Sequence, residues 1–301
     1  MQPQRTEQPA VPLSFEAEEK SLSPTHLAWQ RFRKNKLALI GVCFLVFITI
    51  VAVFADVIAT HDPTASQLAK IEAKPDSENL LGTDSSGRDN FSRLVHGSRV
   101  SLTIGFFAML CTVIIGGALG SLAGFYGGKI DGLIMRFVDV VLIFPFLLLF
   151  LTIVAILQDI TIPIFIMVIA LTSWPVMCRV LRGKFMGIRE QEYILSARSI
   201  GCSDWRIIRK HFLPNAVGPI IVAATLLMAS LIVAESALSF IGFGIPQPTP
   251  TWGNMLTEAQ SIRILRNNPE AWMPPGLCIL LTVLSINFIG DGLRDAFDSK
   301  S

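Results

Sequence analysis

Glu235 is the one carboxylate well inside a long apolar stretch of this 301-residue chain. An acid at that depth is a functional candidate, because a charge in hydrocarbon is costly unless it has a task or a partner. It lies near the far end of its stretch, which favours an interfacial or interhelix hydrogen-bonding role over contact with a substrate. The other groups capable of chemistry are dispersed. His26, His61, His96 and His211 scatter along the chain, and Cys43, Cys111, Cys178, Cys202 and Cys278 contain no CxxC pair. Neither metal ligation nor a catalytic residue is expected from such spacing. The phosphate-loop pattern GxxxxGK[ST] is missing as well, since Gly128-Lys129 is followed by Ile130 and Gly183-Lys184 by Phe185. The chain is therefore expected to bind no cofactor and to be no enzyme, and active transport through it would draw energy from another subunit.

The surrounding stretches explain why chemistry is sparse. The chain is 51% hydrophobic and 16% charged, with mean hydropathy +0.56, whereas ordinary soluble domains carry roughly 25% charge. Runs without Asp, Glu, Lys or Arg cover 37–55, 100–128, 140–158, 160–178, 212–234 and 271–290. Crossing a bilayer takes about 20 mostly apolar residues, so an all-α polytopic membrane protein with six transmembrane helices is expected. A further charge-free run, 236–257, holds Pro246, Pro248 and Pro250 and a polar second half. It reads as the end of the fifth span followed by loop.

Most Lys and Arg fall in segments that share one side if the N-terminus is inside, so both termini are expected in the cytoplasm. Trp29 and Trp174 would then anchor the inner interface, and Trp252 and Trp272 the outer one. The first 36 residues have no early apolar core, so no cleaved signal is apparent. The net charge of +2 selects no nucleic-acid partner. The second span carries Gly116, Gly120 and Gly124 in register, a groove for close helix approach. Arg136 and Asp139, three apart, are expected to pair at the inner end of the third span.

The segment 179–214 is the most informative. Residues 190–200 read as a short helix with Tyr193, Ala197 and Ile200 on one face. Gly201 offers a left-handed cap, Ser203 is a fair N-cap and Asp204 places an acid in the next first turn. A second helix carries Trp205, Ile208 and Phe212 on one face and stops near Leu213-Pro214. The two make an elbow projecting from the membrane, or a basic amphipathic stretch lying on anionic lipid. Pattern alone leaves these readings equal.

The string YILSARSIGCSDWRIIRKHFLPNA at 193–216 resembles the cytoplasmic EAA loop of ATP-binding-cassette (ABC) importer permeases. Ser196-Ala197, Gly201 and Leu213-Pro214 match at the right spacing, while Leu195 replaces the first Glu of the motif and His211 an Ile. LGTDSSGRDNFSRLVHGSRVSL at 81–102, GFGIPQPTPTWGNML at 242–256 and NFIGDGLRDAFD at 287–298 are similar to the C-type permease of dipeptide, oligopeptide and nickel importers. The resemblance implies the ABC type I importer permease fold in the inner membrane, with 1–36 a cytoplasmic segment, 37–96 a first anchor plus outer loop, 97–290 a five-helix core containing the coupling loop 179–214, and 291–301 a tail. It also implies a role as half of a heterodimeric peptide pathway. The implied partners are a sister permease, two cytoplasmic ATPase subunits that use ATP and Mg, and an extracytoplasmic solute-binding protein. Ser196, Ala197, Gly201, Ser203, Asp204, Trp205, Ile208, Leu213 and Pro214 would couple to the ATPase. A nickel or other small-solute importer is the alternative within the family. An ion-coupled carrier is argued against by the missing midplane charges.

Overall fold

The computed structural model describes residues 24–157 and 159–297. Most of the expected N-terminal segment and the end of the tail lie outside the described residues, as does Gln158. Among the described residues there is no strand, and the chain is a helical bundle. A short helix α1 (Pro24–Phe32) precedes α2 (Lys36–Val53), the first apolar span. Asn35 starts α2 by accepting a hydrogen bond from the Ala38 N–H at 3.1 Å, satisfying one of the orphan amides of a helix start. A single turn, α3 (Ala55–Ile58), leads into the outer segment. The long helix α4 (Asn90–Tyr126) follows, capped by Asp89, whose carboxylate accepts from the Ser92 N–H at 2.8 Å. It thus begins well before the charge-free run that marked the second span.

Gly127 (φ +67°) turns the chain directly into α5 (Gly128–Ile143), so the connection between the second and third spans is a single-residue turn followed by helix. The third span is not one rod. α5 and α6 (Phe146–Leu157) meet at an angle of 81°. Pro145 explains the break, because its ring pushes the preceding Phe144 into the extended region at φ −80°, ψ 127°. A charge-free criterion alone is blind to such a kink. The fourth span is α7 (Ile162–Arg189). Beyond it come α8 (Glu192–Ser199), α9 (Asp204–Ile207), a π-helical turn over Ile208–Phe212 and α10 (Leu213–Phe240). After a return segment the chain forms α11 (Trp252–Met255), a 3-10 stretch (Leu256–Gln260), α12 (Ile262–Asn267) and the last span α13 (Pro269–Phe297). The second half of 236–257, read as loop, is therefore partly helical. Thr251 and Asn254 cap α11 reciprocally, and the three prolines precede the cap rather than interrupt the helix.

Among the described residues, five helices are long and apolar enough to cross a membrane, six if the bent pair counts as one span. The most extensive packing is between α4 and α7, followed by α10 with α13 and α13 with α2. The glycine stripe makes the first of these possible. A Cβ at Gly116 would lie 2.7 Å from the Trp174 carbonyl oxygen, and one at Gly120 2.5 Å from that of Cys178. At Gly124 it would meet Phe185 Cβ at 2.6 Å. The helix expected to fit this groove is thus α7, in backbone-to-backbone contact.

Two expectations about side chains are corrected. Trp252 is fully buried against the start of α4, where its indole N–H donates to the Leu94 carbonyl at 3.3 Å, and Trp174 is buried in a stack on Phe137. Neither anchors a lipid interface. Asp139 pairs with Arg179 of α7 at 2.5 Å rather than with Arg136, so the charge pair bridges two helices instead of decorating one.

Candidate functional site

The segment expected as a loop over 179–214 begins as helix, because α7 runs on to Arg189 before the chain turns. α8 then leaves the bundle and returns through Gly201. The Gly201 N–H donates to the Arg198 carbonyl at 3.0 Å and the Cys202 N–H to the Ala197 carbonyl at 3.1 Å. These two bonds are a Schellman cap, and Gly201 supplies the left-handed residue it requires at φ +79°. Ser203 occupies the N-cap position of α9 but its hydroxyl makes no capping bond.

The second arm does not stop at Leu213-Pro214. Pro214 falls in the first turn of α10, where a missing N–H costs little, and the preceding π turn lets the chain pass without a break. Asp204–Phe240 is consequently one near-continuous rod. At 1.5 Å per residue it is roughly 55 Å long, enough to link the tip of the elbow with the far side of a bilayer.

The faces of the elbow also differ from the expected ones. Ile194 and Ala197 of α8, Ile207 of α9 and Phe212 are the buried set, packed on Phe125, Leu181 and Phe185. Tyr193 and Ile200, expected on the face of Ala197, point outward instead. Ile200 is 81% exposed and Trp205 70%, so two large apolar side chains stand at the tip with nothing over them. Ser196, Gly201, Ser203 and Asp204 lie exposed around them, Ala197 and the half-buried Ile208 form the root, and Leu213 and Pro214 sit apart at the start of α10. Below the root, Arg182 of α7 forms a bidentate pair with Asp131 of α5.

At the other end of the rod, Glu235 is completely buried. It accepts from the hydroxyls of Ser239 at 2.8 Å, Ser101 at 3.3 Å and Ser236 at 3.4 Å. Ser101 in turn accepts from the Trp252 N–H at 3.1 Å. The carboxyl therefore ties α10 to α4 and, through Ser101, to α11. It touches no open space, and its surroundings are those of an interhelix hydrogen-bonding group. Gly253 is pressed against this end of α10, since a Cβ there would meet the Ser236 Cα at 2.7 Å.

Sequence reasoning missed a polar clamp beside it. Asp84, Arg88 and Arg93 are all buried. Asp84 accepts from the backbone N–H groups of Ser86 and Arg88 at 2.8 and 2.9 Å, and from the Arg88 guanidinium at 2.7 Å. Arg88 reaches Gln247 at 2.5 Å, and Arg93 donates to the carbonyls of Pro63 and Pro248 at 3.2 Å each. The segment before α4 is thereby fastened to the one after α10. Glu258 accepts from the Ser85 hydroxyl at 2.7 Å; burial pushes its carboxyl above the ordinary value, with the Ser85 hydrogen bond pulling the other way. The available signal was the string Thr83-Asp84-Ser85-Ser86-Gly87-Arg88-Asp89, which entered only as part of a family-like block.

Comparison with known proteins points to transport systems. Residues 116–301 match the family described as binding-protein-dependent transport system inner membrane component, and residues 23–75 match the N-terminal TM domain of oligopeptide transport permease C. The chain is 40% identical over 280 residues to a dipeptide transport system permease protein, DppC, of Alkalihalophilus pseudofirmus, covering 93% of this chain and 91% of that one. It is 35% identical over 303 residues to the oligopeptide transport system permease protein OppC of Bacillus subtilis, covering 99% and 98%. A glutathione transport system permease protein, GsiD, of Escherichia coli is 40% identical over 279 residues, covering 92% and 91%. Among solved structures, a chain of the inward-facing MetNI methionine ABC transporter superposes with a TM-score of 0.57 at 20% identity, over 68% of this chain and 96% of that one. That likeness shows the fold.

Proposed function

Because the chain belongs to the family of binding-protein-dependent transport system inner membrane components, we propose that it forms one half of a peptide-conducting pathway driven by ATPase subunits. The other half is a sister permease of the same fold. A solute-binding protein on the outer side delivers the peptide, and two cytoplasmic ATPase subunits consume ATP and Mg. The N-terminus, the elbow and the C-terminal tail face the cytoplasm. Relatives of the chain are named for dipeptide, oligopeptide and glutathione transport, which favours a short peptide over nickel as cargo.

The observation that carries this reading is the elbow, whose root is buried while Ile200 and Trp205 are left uncovered at its tip. An apolar tip rimmed by Ser196, Ser203 and Asp204 suits insertion into a groove of a partner protein. It suits the surface of anionic lipid poorly, because Asp204 offsets Arg206 at the tip while the basic Arg209 and Lys210 lie further along the rod. Closure of the ATPases would displace the tip, and α9, the π turn and α10 would carry that displacement across the membrane. It would arrive at Glu235, Ser236 and Ser239, which contact α4 and the return segment on the outer side. The chain then contributes no covalent chemistry. It binds, moves and reorients a path, and alternating access follows from the shift of α10 and its neighbours.

Co-expression of this chain with a sister permease, the ATPases and a binding protein tests the proposal. A stable complex that takes up a radiolabelled short peptide in vesicles, dependent on ATP, is the expected result. Uptake that proceeds without the ATPases, or that is driven by a proton or sodium gradient alone, would overturn it.

A further inference from the structure

The guanidinium of Arg198, in the last turn of α8, lies over the Phe125 ring with its Cζ 5.1 Å from the centroid. Phe125 belongs to the end of α4. Its ring meets that of Phe212, in the π turn, edge-on at 5.1 Å, and Phe212 stacks on Phe185 of α7 at 5.0 Å and 12°. All of these rings are buried. A single column thus joins four elements at the root of the elbow. The Arg198 Nε is enclosed and has no hydrogen-bond partner. A buried N–H without an acceptor is costly, and the ring face is the electron-rich group it has in place of one.

We propose that Arg198 is a positioning residue that latches the elbow to the end of α4, so that α8, the π turn and the inner end of α10 move as one body. The proposal rests on the coupling role argued above. The apolar root made by Ile194, Ala197 and Ile207 cannot do this alone, because apolar contact is non-directional and lets surfaces slide. A guanidinium on a ring face is directional, and in a water-poor site its attraction is strengthened. Main chain and side chain of the same residue then act together. The Arg198 carbonyl accepts from the Gly201 N–H and so holds the tip turn, while the guanidinium holds α4. A push on the tip can thus enter residue 198 through its carbonyl and leave through its guanidinium to α4.

The test uses the complete complex in vesicles and two variants. Arg198→Met keeps the stem without the charge, and Arg198→Lys keeps a cation. Peptide taken up per ATP hydrolysed is measured beside amide exchange across 192–199 and 208–216. Arg198→Met should assemble normally and hydrolyse ATP, yet move about fivefold less peptide per ATP, with Arg198→Lys recovering about half of that loss. Exchange should rise in both segments together in Arg198→Met and in neither in Arg198→Lys. Wild-type transport per ATP in Arg198→Met would overturn the latch. So would equal impairment of the Lys variant, which points to shape alone, or faster exchange confined to 192–199. If the wild-type complex moves no peptide, the coupling role fails, and the joint or separate response of the two segments still decides whether Arg198 links them.

Discussion

A Cβ at Gly201 would meet nothing within 4 Å, so the constraint there is the backbone and not the space. With φ at +79°, a side chain strains the Schellman turn by about 1–2 kcal/mol. That is enough to displace the tip without disturbing helices buried elsewhere. Gly201→Arg should therefore leave membrane insertion and pairing with the sister permease intact while lowering peptide uptake by about tenfold. Uptake and stimulated ATP hydrolysis in the reconstituted complex check this, and wild-type values for both would remove Gly201 from the coupling path. At the other end of the rod, Glu258 titrates above its ordinary 4.5 because burial disfavours its charged form, although the Ser85 hydroxyl opposes the shift. A carboxyl raised in the folded state binds more protons there than in the unfolded chain. Its contribution is most favourable at low pH and is lost as pH climbs from 4.5 through the raised value. Glu258→Gln, which cannot ionise, should flatten that part of the pH profile and leave the outer clamp at least as stable at neutral pH. Limited proteolysis of the segment 59–89 between pH 4.5 and 7.5 reads the effect, and an unchanged slope would refute it.

Between elements, the strongest constraint is the approach of α4 to α7. Gly120 faces backbone atoms on two sides, the Cys178 carbonyl at 2.5 Å and the Arg182 N–H nitrogen at 3.1 Å from a hypothetical Cβ. Backbone cannot rotate away as a side chain can. Gly120→Ala should cost roughly 1–3 kcal/mol through forced separation, and Gly120→Leu should largely prevent assembly of the complex, measured as the yield of co-purified subunits. Normal yield for Gly120→Leu would show that the groove is dispensable. This groove was legible from spacing, since glycines at every fourth position share a helix face, but spacing cannot say which helix fills it. The elbow was legible for the same local reason, a glycine between two short amphipathic stretches. Its faces were not. Ile194 and Ile207 are buried where Tyr193 and Trp205 were expected, because the decision lies with Phe125, Leu181 and Phe185, distant in sequence. The run of α9 into α10 was hidden by Pro214, which usually signals an end but here occupies the first turn of a helix. Asp84 and Arg93 escaped notice because, although Asp84 pairs locally with Arg88 and Arg93, the bonds that fasten the outer segments run from Arg88 to Gln247 and from Arg93 to the Pro248 carbonyl, far apart in sequence. Breaking such a pair leaves an uncompensated charge, so these residues hold the outer segments together in a way no local pattern reveals.

For the whole molecule, orientation turns on whether the bent pair α5 and α6 crosses or doubles back. α4 ends and α5 begins at the elbow side, joined by Gly127. If the 81° break made the pair re-entrant, α7 would start on that same side, and every later segment would be inverted. The core argues otherwise. Phe150 and Val154 of α6 belong to one cluster with Ile104 in the first half of α4, Phe165 near the start of α7, and Ile245 in the return segment. α6 thus reaches the layer opposite the elbow, which supports the proposed crossing of the pair despite its kink. On the proposed topology the crossings among the described residues are even in number, the start of α2 and the end of α13 share a side, and the excess of Lys and Arg favours the cytoplasm for that side. Cysteines introduced one at a time into a chain whose native cysteines are replaced by serine should sort accordingly. Ser77→Cys, Asp159→Cys and Ile262→Cys should react in intact cells with a membrane-impermeant maleimide, and Ser203→Cys only after the membrane is opened. Asp159→Cys discriminates most sharply, since it follows α6 directly. Its protection in intact cells, with Ser77→Cys labelled, would mean that the pair re-enters; labelling of Ser203→Cys in intact cells would invert the entire arrangement and expose the elbow to the side where no ATP is available.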